Sequence, residues 1–310
     1  MIDAIVLSSI GLLFLYFGAE TLVRGGTSLG LRFGLSPFIV GVTIVGFGTS
    51  APEMAVSMSA SAIGKSDVAI GNVIGSNIAN IGLVLGLIAL LRPIQINPQV
   101  IQRELPIVIA SGLLFCLLIW DGNISRLEGY LLLLTIILYI FFNIRQRQPI
   151  DSPLEEYASI STLKSSLFIL LGLTLLTVGG KWLVDGAVNI AHLLGISESI
   201  IALTIVAIGT SLPELATSIV AATKNMSDLS LGNIVGSNVF NTLGVLGASA
   251  VVLPLPQGSV TWSEINIMLG FTIVLWLLAR HQLQINRWKG GLLFFSYTAY
   301  IIWLISQPIA

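Results

Sequence analysis

The chain has 310 residues, of which 55% are hydrophobic and only 9% are charged, where a soluble domain carries about 25% charged side chains. Fourteen Lys and Arg against fifteen Asp and Glu leave a net charge of −1, without the concentrated basic face that nucleic acid requires. The single cysteine, Cys116, allows neither an intramolecular disulfide nor a cysteine metal cage. A soluble enzyme and a nucleic-acid binder are thereby excluded, and a membrane bundle is expected.

In chain order, ten apolar stretches approach or exceed the roughly 20 residues a helix needs to cross a bilayer: 2–22, 37–63, 68–91, 105–120, 129–144, 165–180, 199–223, 229–253, 265–279 and 290–308. The first has no basic n-region and no A-x-A site, so it reads as a span and not a signal peptide. All ten are continuous apolar runs without the alternation of a membrane barrel, so the fold class is an all-α integral membrane protein. Ten spans put both termini on one side. Arg24, Arg32, Arg92, Arg103, Arg145, Arg147, Lys164, Lys224, Arg280, Arg287 and Lys289 fall on the opposite side, against Lys65, Arg126 and Lys181. Basic loops stay cytoplasmic, so both termini are expected outside, in the plasma (inner) membrane. The polar stretch 145–164 reads as a cytoplasmic linker between halves 1–144 and 165–310.

The halves are related. A shift of 161 residues places Gly48-Thr49-Ser50-Ala51-Pro52-Glu53 on Gly209-Thr210-Ser211-Leu212-Pro213-Glu214, and Gly75-Ser76-Asn77 on Gly236-Ser237-Asn238. Asn72 meets Asn233 and Asn80 meets Asn241; without a gap, 19 of 41 positions agree between 46–86 and 207–247. Upstream, Gly18, Gly25, Gly34 and Ser36 meet Gly179, Gly186, Gly195 and Ser197. Five spans per half is an odd number, so the second half enters the membrane inverted, the plan of many secondary transporters.

Glu53 and Glu214 are the acidic groups deep inside spans. A charge at the bilayer centre costs from about 2.5 to over 10 kcal/mol, so a cation or proton has to neutralise them. Pro52 and Pro213 break helices two and seven, and the first half-helix then ends in carbonyls that favour a cation. Carboxylates, carbonyls and Thr/Ser hydroxyls make an all-oxygen environment suited to Ca²⁺ and Na⁺. A plainer reading takes S-x-P-E as a capping box with Ser50 or Ser211 at the N-cap; mid-span, that also implies a discontinuous helix. Asn72, Ser76 and Asn80, like Asn233, Ser237 and Asn241, share one helix face; alone they would pass for a polar, glycine-rich packing seam. The run has no G-K-[ST] ending and is not a phosphate loop.

At these residues the chain resembles the Ca²⁺/cation antiporter superfamily, and most of all its short prokaryotic sodium/calcium exchangers. The resemblance implies exchange of Ca²⁺ for Na⁺, with no cofactor and no obligatory protein partner beyond the ions and the lipid bilayer. It assigns Ca²⁺ to Glu53, Glu214 and the carbonyls of Thr49 and Thr210. It assigns Na⁺ also to Ser50, Ser76, Ser211, Ser237 and the carbonyls of Gly46 and Ala207, with Asn80 and Asn241 bordering the centre. Some relatives carry Asp where this chain has Asn241, and a neutral Asn241 argues against K⁺ co-transport. Two carboxylates balance one Ca²⁺ or two Na⁺; a third Na⁺ would make exchange electrogenic. A proton-coupled Ca²⁺ antiporter is the alternative, since the same glutamates can carry protons. An intramembrane aspartyl protease needs paired Asp in Y-D and G-x-G-D contexts, which are not present.

Glu104, Glu128 and Glu264 are expected at membrane interfaces, and His192 and His281 at loops or the membrane edge. Glu20 and Lys181, matched at the same offset, are candidates for charges at a gate formed by the first and sixth spans.

Overall fold

A computed structural model describes residues 2–145, 160–195, 205 and 207–306. The long helices are α1 (Ile2–Arg32), α4 (Ser66–Leu91), α5 (Val100–Leu118), α6 (Arg126–Arg145), α7 (Thr162–Leu193), α10 (Ser227–Val252), α11 (Trp262–Arg280) and α12 (Arg287–Ser306). Between them lie α2 (Pro37–Thr49) and α3 (Ala51–Ala62), which meet at 43°, and the short α8 (Ala207–Gly209) and α9 (Leu212–Thr223). Among the described residues, eight helices are long and apolar enough to cross a membrane, or nine if the bent pair counts as one span. Of the expected seventh span, α9 and α8 are described, whereas 199–204, 206, Ser197 and most of the linker 145–164 lie outside the described residues.

Two helices outrun the apolar stretches that announce them. α1 has 31 residues and α7 has 32, which at 1.5 Å per residue exceeds the ~30 Å hydrocarbon layer. What carries them on is packing. Gly11, Gly18 and Gly25 of α1, and Gly172, Gly179 and Gly186 of α7, recur every seventh residue on one face. A Cβ on Gly18 would sit 3.0 Å from the Gly172 carbonyl, and one on Gly11 2.8 Å from that of Gly179. The numbers rise along one helix as they fall along the other, so α1 and α7 pack antiparallel with their backbones in contact, as small residues permit in membranes.

The same device recurs in the remaining bundle: Gly86 of α4 lies against Gly290 of α12, and Gly129 of α6 against Gly247 of α10. α4 and α10 form the centre, with 78% and 89% of their apolar windows buried, against 22–44% for the other long helices. Outward faces of α1, α6 and α7 carry exposed Leu, Ile and Phe such as Leu12, Phe17, Leu134, Ile137 and Leu170, the surface that lipid demands. Polar side chains go inside.

Two ribbons join helix ends. β1 (Ile94–Gln95) pairs antiparallel with β4 (Gln284–Ile285), and β2 (Asn123–Ile124) with β3 (Leu255–Pro256). Under the 161-residue shift β1 falls on β3 and β2 on β4, so each ribbon maps onto the other.

Lys289 is fully buried, and its ammonium donates to the Leu278 carbonyl at 2.8 Å, to that of Gln284 at 2.6 Å and to that of His281. Free carbonyls at the end of α11 attract the cation. Glu104, near the start of α5, is 3% exposed and accepts from the Tyr139 hydroxyl at 2.8 Å, with Arg103 at 3.6 Å. Glu128 and Glu264 do sit at helix starts, each accepting from a hydroxyl three residues earlier, Ser125 and Thr261. One sequence expectation needs correction, the capping role of Ser50 and Ser211, taken up next.

Candidate ion-binding site

At the centre of the bundle the residues preceding the two Pro-Glu pairs share one backbone conformation. α2 ends at Thr49 and α3 starts at Ala51, with Ser50 between them at φ −79°, ψ 2°. Ser211 precedes α9 at φ −87°, ψ 5°. Pro52 and Pro213 explain both: neither has the N–H that the carbonyl four residues earlier would accept in a continuous helix. Neither serine caps its helix with its side chain, contrary to the capping-box reading. Ser50 Oγ instead donates across the interface to Glu214 Oε1 at 3.4 Å, and Ser211 Oγ is buried without a partner.

Glu53 and Glu214 are both fully buried. Glu214 Oε1 accepts from Ser50 and, at 3.3 Å, from Ser237, and its Oε2 has no partner. Ser76 and Thr210 face the Glu53 carboxylate, both of whose oxygens are buried, and Glu214 is its acidic neighbour. Thr49 Oγ1 lies 3.3 Å from Ser237 Oγ and 3.4 Å from the Gly46 carbonyl, which Ser237 also approaches at 3.5 Å. In the other half Ser76 Oγ lies 3.4 Å from Thr210 Oγ1. Asn80 Nδ2 donates to Asn238 Oδ1 at 3.2 Å, leaving Asn80 Oδ1 and both polar atoms of Asn241 buried and unpartnered. Asn80 and Asn241 stand at the π-helical turns Asn80–Leu85 and Phe240–Val245, a distortion frequent at functional sites. Ala207 opens α8, three residues before Thr210.

The structure therefore brings Thr49, Ser50, Glu53, Ser76, Thr210, Ser237 and Glu214 into one cluster, with Gly46 at its edge. A cavity of about 310 Å³ reaches it along α7, lined by Pro52, Thr210, Pro213, Lys181 and Asp185. Among the described residues no three His, Cys, Asp or Glu converge; the acidic content is two carboxylates, and the other ligands available are neutral oxygens. Such a set suits a hard cation better than a transition metal.

Sequence reasoning placed Asn72 and Asn233 on the right face without giving them a role. Asn233 Nδ2 donates to the Glu214 carbonyl at 3.4 Å and to Ser218 Oγ at 2.9 Å, and Asn72 does the same for Glu53 and Ser57 at 3.3 and 3.0 Å. Asn77, to which the sequence pattern assigns no task, donates to Thr242 Oγ1 at 2.8 Å, joining α4 to α10. The duplicated G-N-x-x-G-S-N pattern was the available signal.

Two buried carboxylates among neutral oxygens, beside a bent helix pair in a bundle with an apolar exterior, are what an ion-transporting membrane protein requires. Comparison with known proteins specifies which. The family described as sodium/calcium exchanger protein matches residues 4–145 and 164–306, and the chain belongs to that family: it is a membrane cation antiporter, not an enzyme. It is 38% identical to the putative antiporter CaxA of Alkalimonas amylolytica, over 99% of this chain and 100% of that one. It is 30% identical to the sodium/calcium exchanger MaX1 of Methanosarcina acetivorans, over 94% and 96%, and 37% identical to the inner membrane protein YrbG of Escherichia coli, over 98% of each. The solved sodium-calcium exchanger NCX_Mj superposes with a TM-score of 0.85 at 32% identity, covering 100% of both chains.

Proposed function

We propose that this protein exchanges Ca²⁺ for Na⁺ by alternating access, the two ions competing for Glu53 and Glu214. The observation that carries this reading is the Glu53 carboxylate, fully buried beside a second fully buried carboxylate, Glu214, with hydroxyls and, among the described residues, no cationic side chain around them. A bare charge in such a place costs several kcal/mol. A cation ringed by oxygen ligands removes that cost. The unloaded carrier, with two uncompensated carboxylates, crosses rarely, and this enforces exchange over leak.

Glu53, Glu214 and the main-chain carbonyls of Thr49 and Thr210 hold Ca²⁺ on this reading. Ser50, Ser76, Ser211, Ser237 and the carbonyls of Gly46 and Ala207 complete the Na⁺ positions, and Asn80 and Asn241 border the centre. The names of MaX1 and NCX_Mj as sodium/calcium exchangers support Na⁺ as the coupling ion here.

The scaffold proposed is ten helices in two inverted five-helix repeats, 1–144 and 165–310, with helices two and seven broken at Ser50 and Ser211 and a cytoplasmic connection at 145–164. Support comes from the antiparallel packing of the equivalent helices α1 and α7, from the two ribbons that map onto each other, and from the matching backbone angles at the breaks. Both termini lie outside the cytoplasm, as the basic-residue bias favours.

The test is ⁴⁵Ca²⁺ uptake into proteoliposomes. Uptake driven by a Na⁺ gradient at clamped pH, and lost in Glu53→Gln and Glu214→Gln, is the expected result. Uptake driven by a pH gradient without Na⁺ would replace Na⁺ by H⁺ as the coupling ion, and wild-type uptake in either variant would remove the glutamates from the site.

A further inference from the structure

We propose that Asn72 and Asn233 are positioning residues that lock the two halves of the site to each other. Each holds the glutamate turn of its own half and the threonine hydroxyl of the other. The inference rests on the ion site proposed above and concerns side chains to which that reading gives no task.

The two amides make matching sets of bonds. Asn233 Nδ2 donates to the Glu214 carbonyl and to Ser218 Oγ, while its Oδ1 accepts from Thr49 Oγ1 at 3.0 Å. Asn72 Nδ2 donates to the Glu53 carbonyl and to Ser57 Oγ, while its Oδ1 accepts from Thr210 Oγ1 at 3.5 Å. In both halves the amide lies 19 residues beyond its glutamate. Backbone carbonyls only accept, so they settle which amide end faces the glutamate turn, and the oxygen is left for the threonine.

The residue type follows from the partners. A carbonyl and a hydroxyl on one side call for N–H donors, and a threonine hydroxyl on the other calls for an acceptor. A carboxamide supplies both; a carboxylate has no donor and a leucine has neither.

Followed round, the contacts close a ring. Glu53 leads to Asn72, Asn72 to Thr210, and Thr210 lies four residues from Glu214 in the same motif. Glu214 leads to Asn233, Asn233 to Thr49, and Thr49 lies four residues from Glu53. The distance between each glutamate and the threonine of the opposite half is thus held by one amide, and neither break can open without pulling on the other. An ion coordinated by groups from both halves feels that spacing directly. Interfaces of this kind are bistable rather than continuously deformable, so loosening one bond acts on the whole ring.

The experiment measures KM for Ca²⁺ and the maximal rate of Na⁺-driven ⁴⁵Ca²⁺ uptake in proteoliposomes, with the amount of folded protein followed by size-exclusion chromatography. Asn233→Leu and Asn72→Leu are expected to raise KM about five- to tenfold, the scale of one lost buried hydrogen bond, with a smaller change in maximal rate. A purely structural role would lower the folded fraction and leave KM unchanged. Thr49→Val removes the Thr49–Asn233 bond from its other end and is expected to raise KM alike, which keeps the test intact if a leucine variant does not fold. Combined with Asn233→Leu it should add little. Unchanged KM in the folded variants, or additive effects of Thr49→Val and Asn233→Leu, overturns the inference. Glu214→Gln in the same assay separates this from the larger reading: if it abolishes uptake while the amide variants behave as wild type, only the positioning role fails.

Discussion

Glu20 of α1 and Lys224, at the end of α9, form an ion pair although 204 residues separate them. Beside it Arg92, at the end of α4, donates to the Asn225 side chain and to the Ala222 carbonyl. The turn between α9 and α10 is therefore held from two sides. At the repeat-equivalent turn Lys224 and Asn225 are replaced by Ile63 and Gly64, and Glu20 by Lys181. One turn has charged fastenings that its counterpart does not share in sequence.

Both partners of the pair are about one-third exposed, and such pairs contribute about 1 kcal/mol or less. Lys224→Gln should therefore shift Tm little. About 1 kcal/mol still changes a conformational ratio roughly fivefold, so the transport rate should change by up to that factor. The charge exchange Glu20→Lys with Lys224→Glu should restore it. Rates and melting curves of the three proteins check this, and an unrestored rate would deny the pair a role in the cycle.

Lys289 illustrates how costly a missing partner becomes. Lys289→Met keeps much of the bulk and removes the ammonium that serves three carbonyls. The carbonyls are only partly buried, so a loss on the scale of one or two hydrogen bonds, about 1–3 kcal/mol, is expected in denaturation experiments, with the exchange site itself untouched.

Glycine contacts predict a contrast between variants of the same kind. At Gly172 a Cβ would lie 2.7 Å from the Leu22 amide nitrogen and 2.8 Å from the Gly18 carbonyl, so Gly172→Ala should force α1 and α7 apart and lower Tm. At Gly270, in α11, a Cβ meets nothing within 4 Å. Gly270→Ala should be neutral or stabilising by up to about 1 kcal/mol, the helix-propensity difference.

Ion binding and stability are linked through the glutamates. A ligand that binds only the folded state stabilises it by about 2.7 kcal/mol at a hundred times its Kd. Ca²⁺ should raise the Tm of the wild type, and Glu53→Gln should cancel the rise while raising the Tm of the ion-free protein, because an amide does not carry the desolvation cost of a charge. Thermal scans with and without Ca²⁺ decide; a Ca²⁺ response retained in Glu53→Gln would sink the assignment.

Much of this molecule is legible in one dimension because a membrane solvent leaves few choices. Apolar runs become helices, since lipid offers no partner for a free backbone amide. Prolines at equivalent places in two repeats mark Ser50 and Ser211 as breaks, and Glu53 and Glu214 stand out because carboxylates are so rarely found there. The lengths of α1 and α7 were not legible in the same way. Their polar ends stay helical because glycines seven residues apart bring the two backbones together, and that requires both helices at once.

Residue types and their repetition determined the helical class, the prolines that precede both glutamates and the two buried acids, all of which follow from local chemistry and the cost of charge in an apolar medium. The tertiary structure decided which partner each polar atom takes: Ser50 the opposite glutamate and not its own helix, Lys289 the end of α11 and not solvent, Asn233 the threonine of the other half. Those outcomes depend on which groups lie within about 3 Å once the two halves interlock, and hydrogen bonds distinguish between partners only at that range.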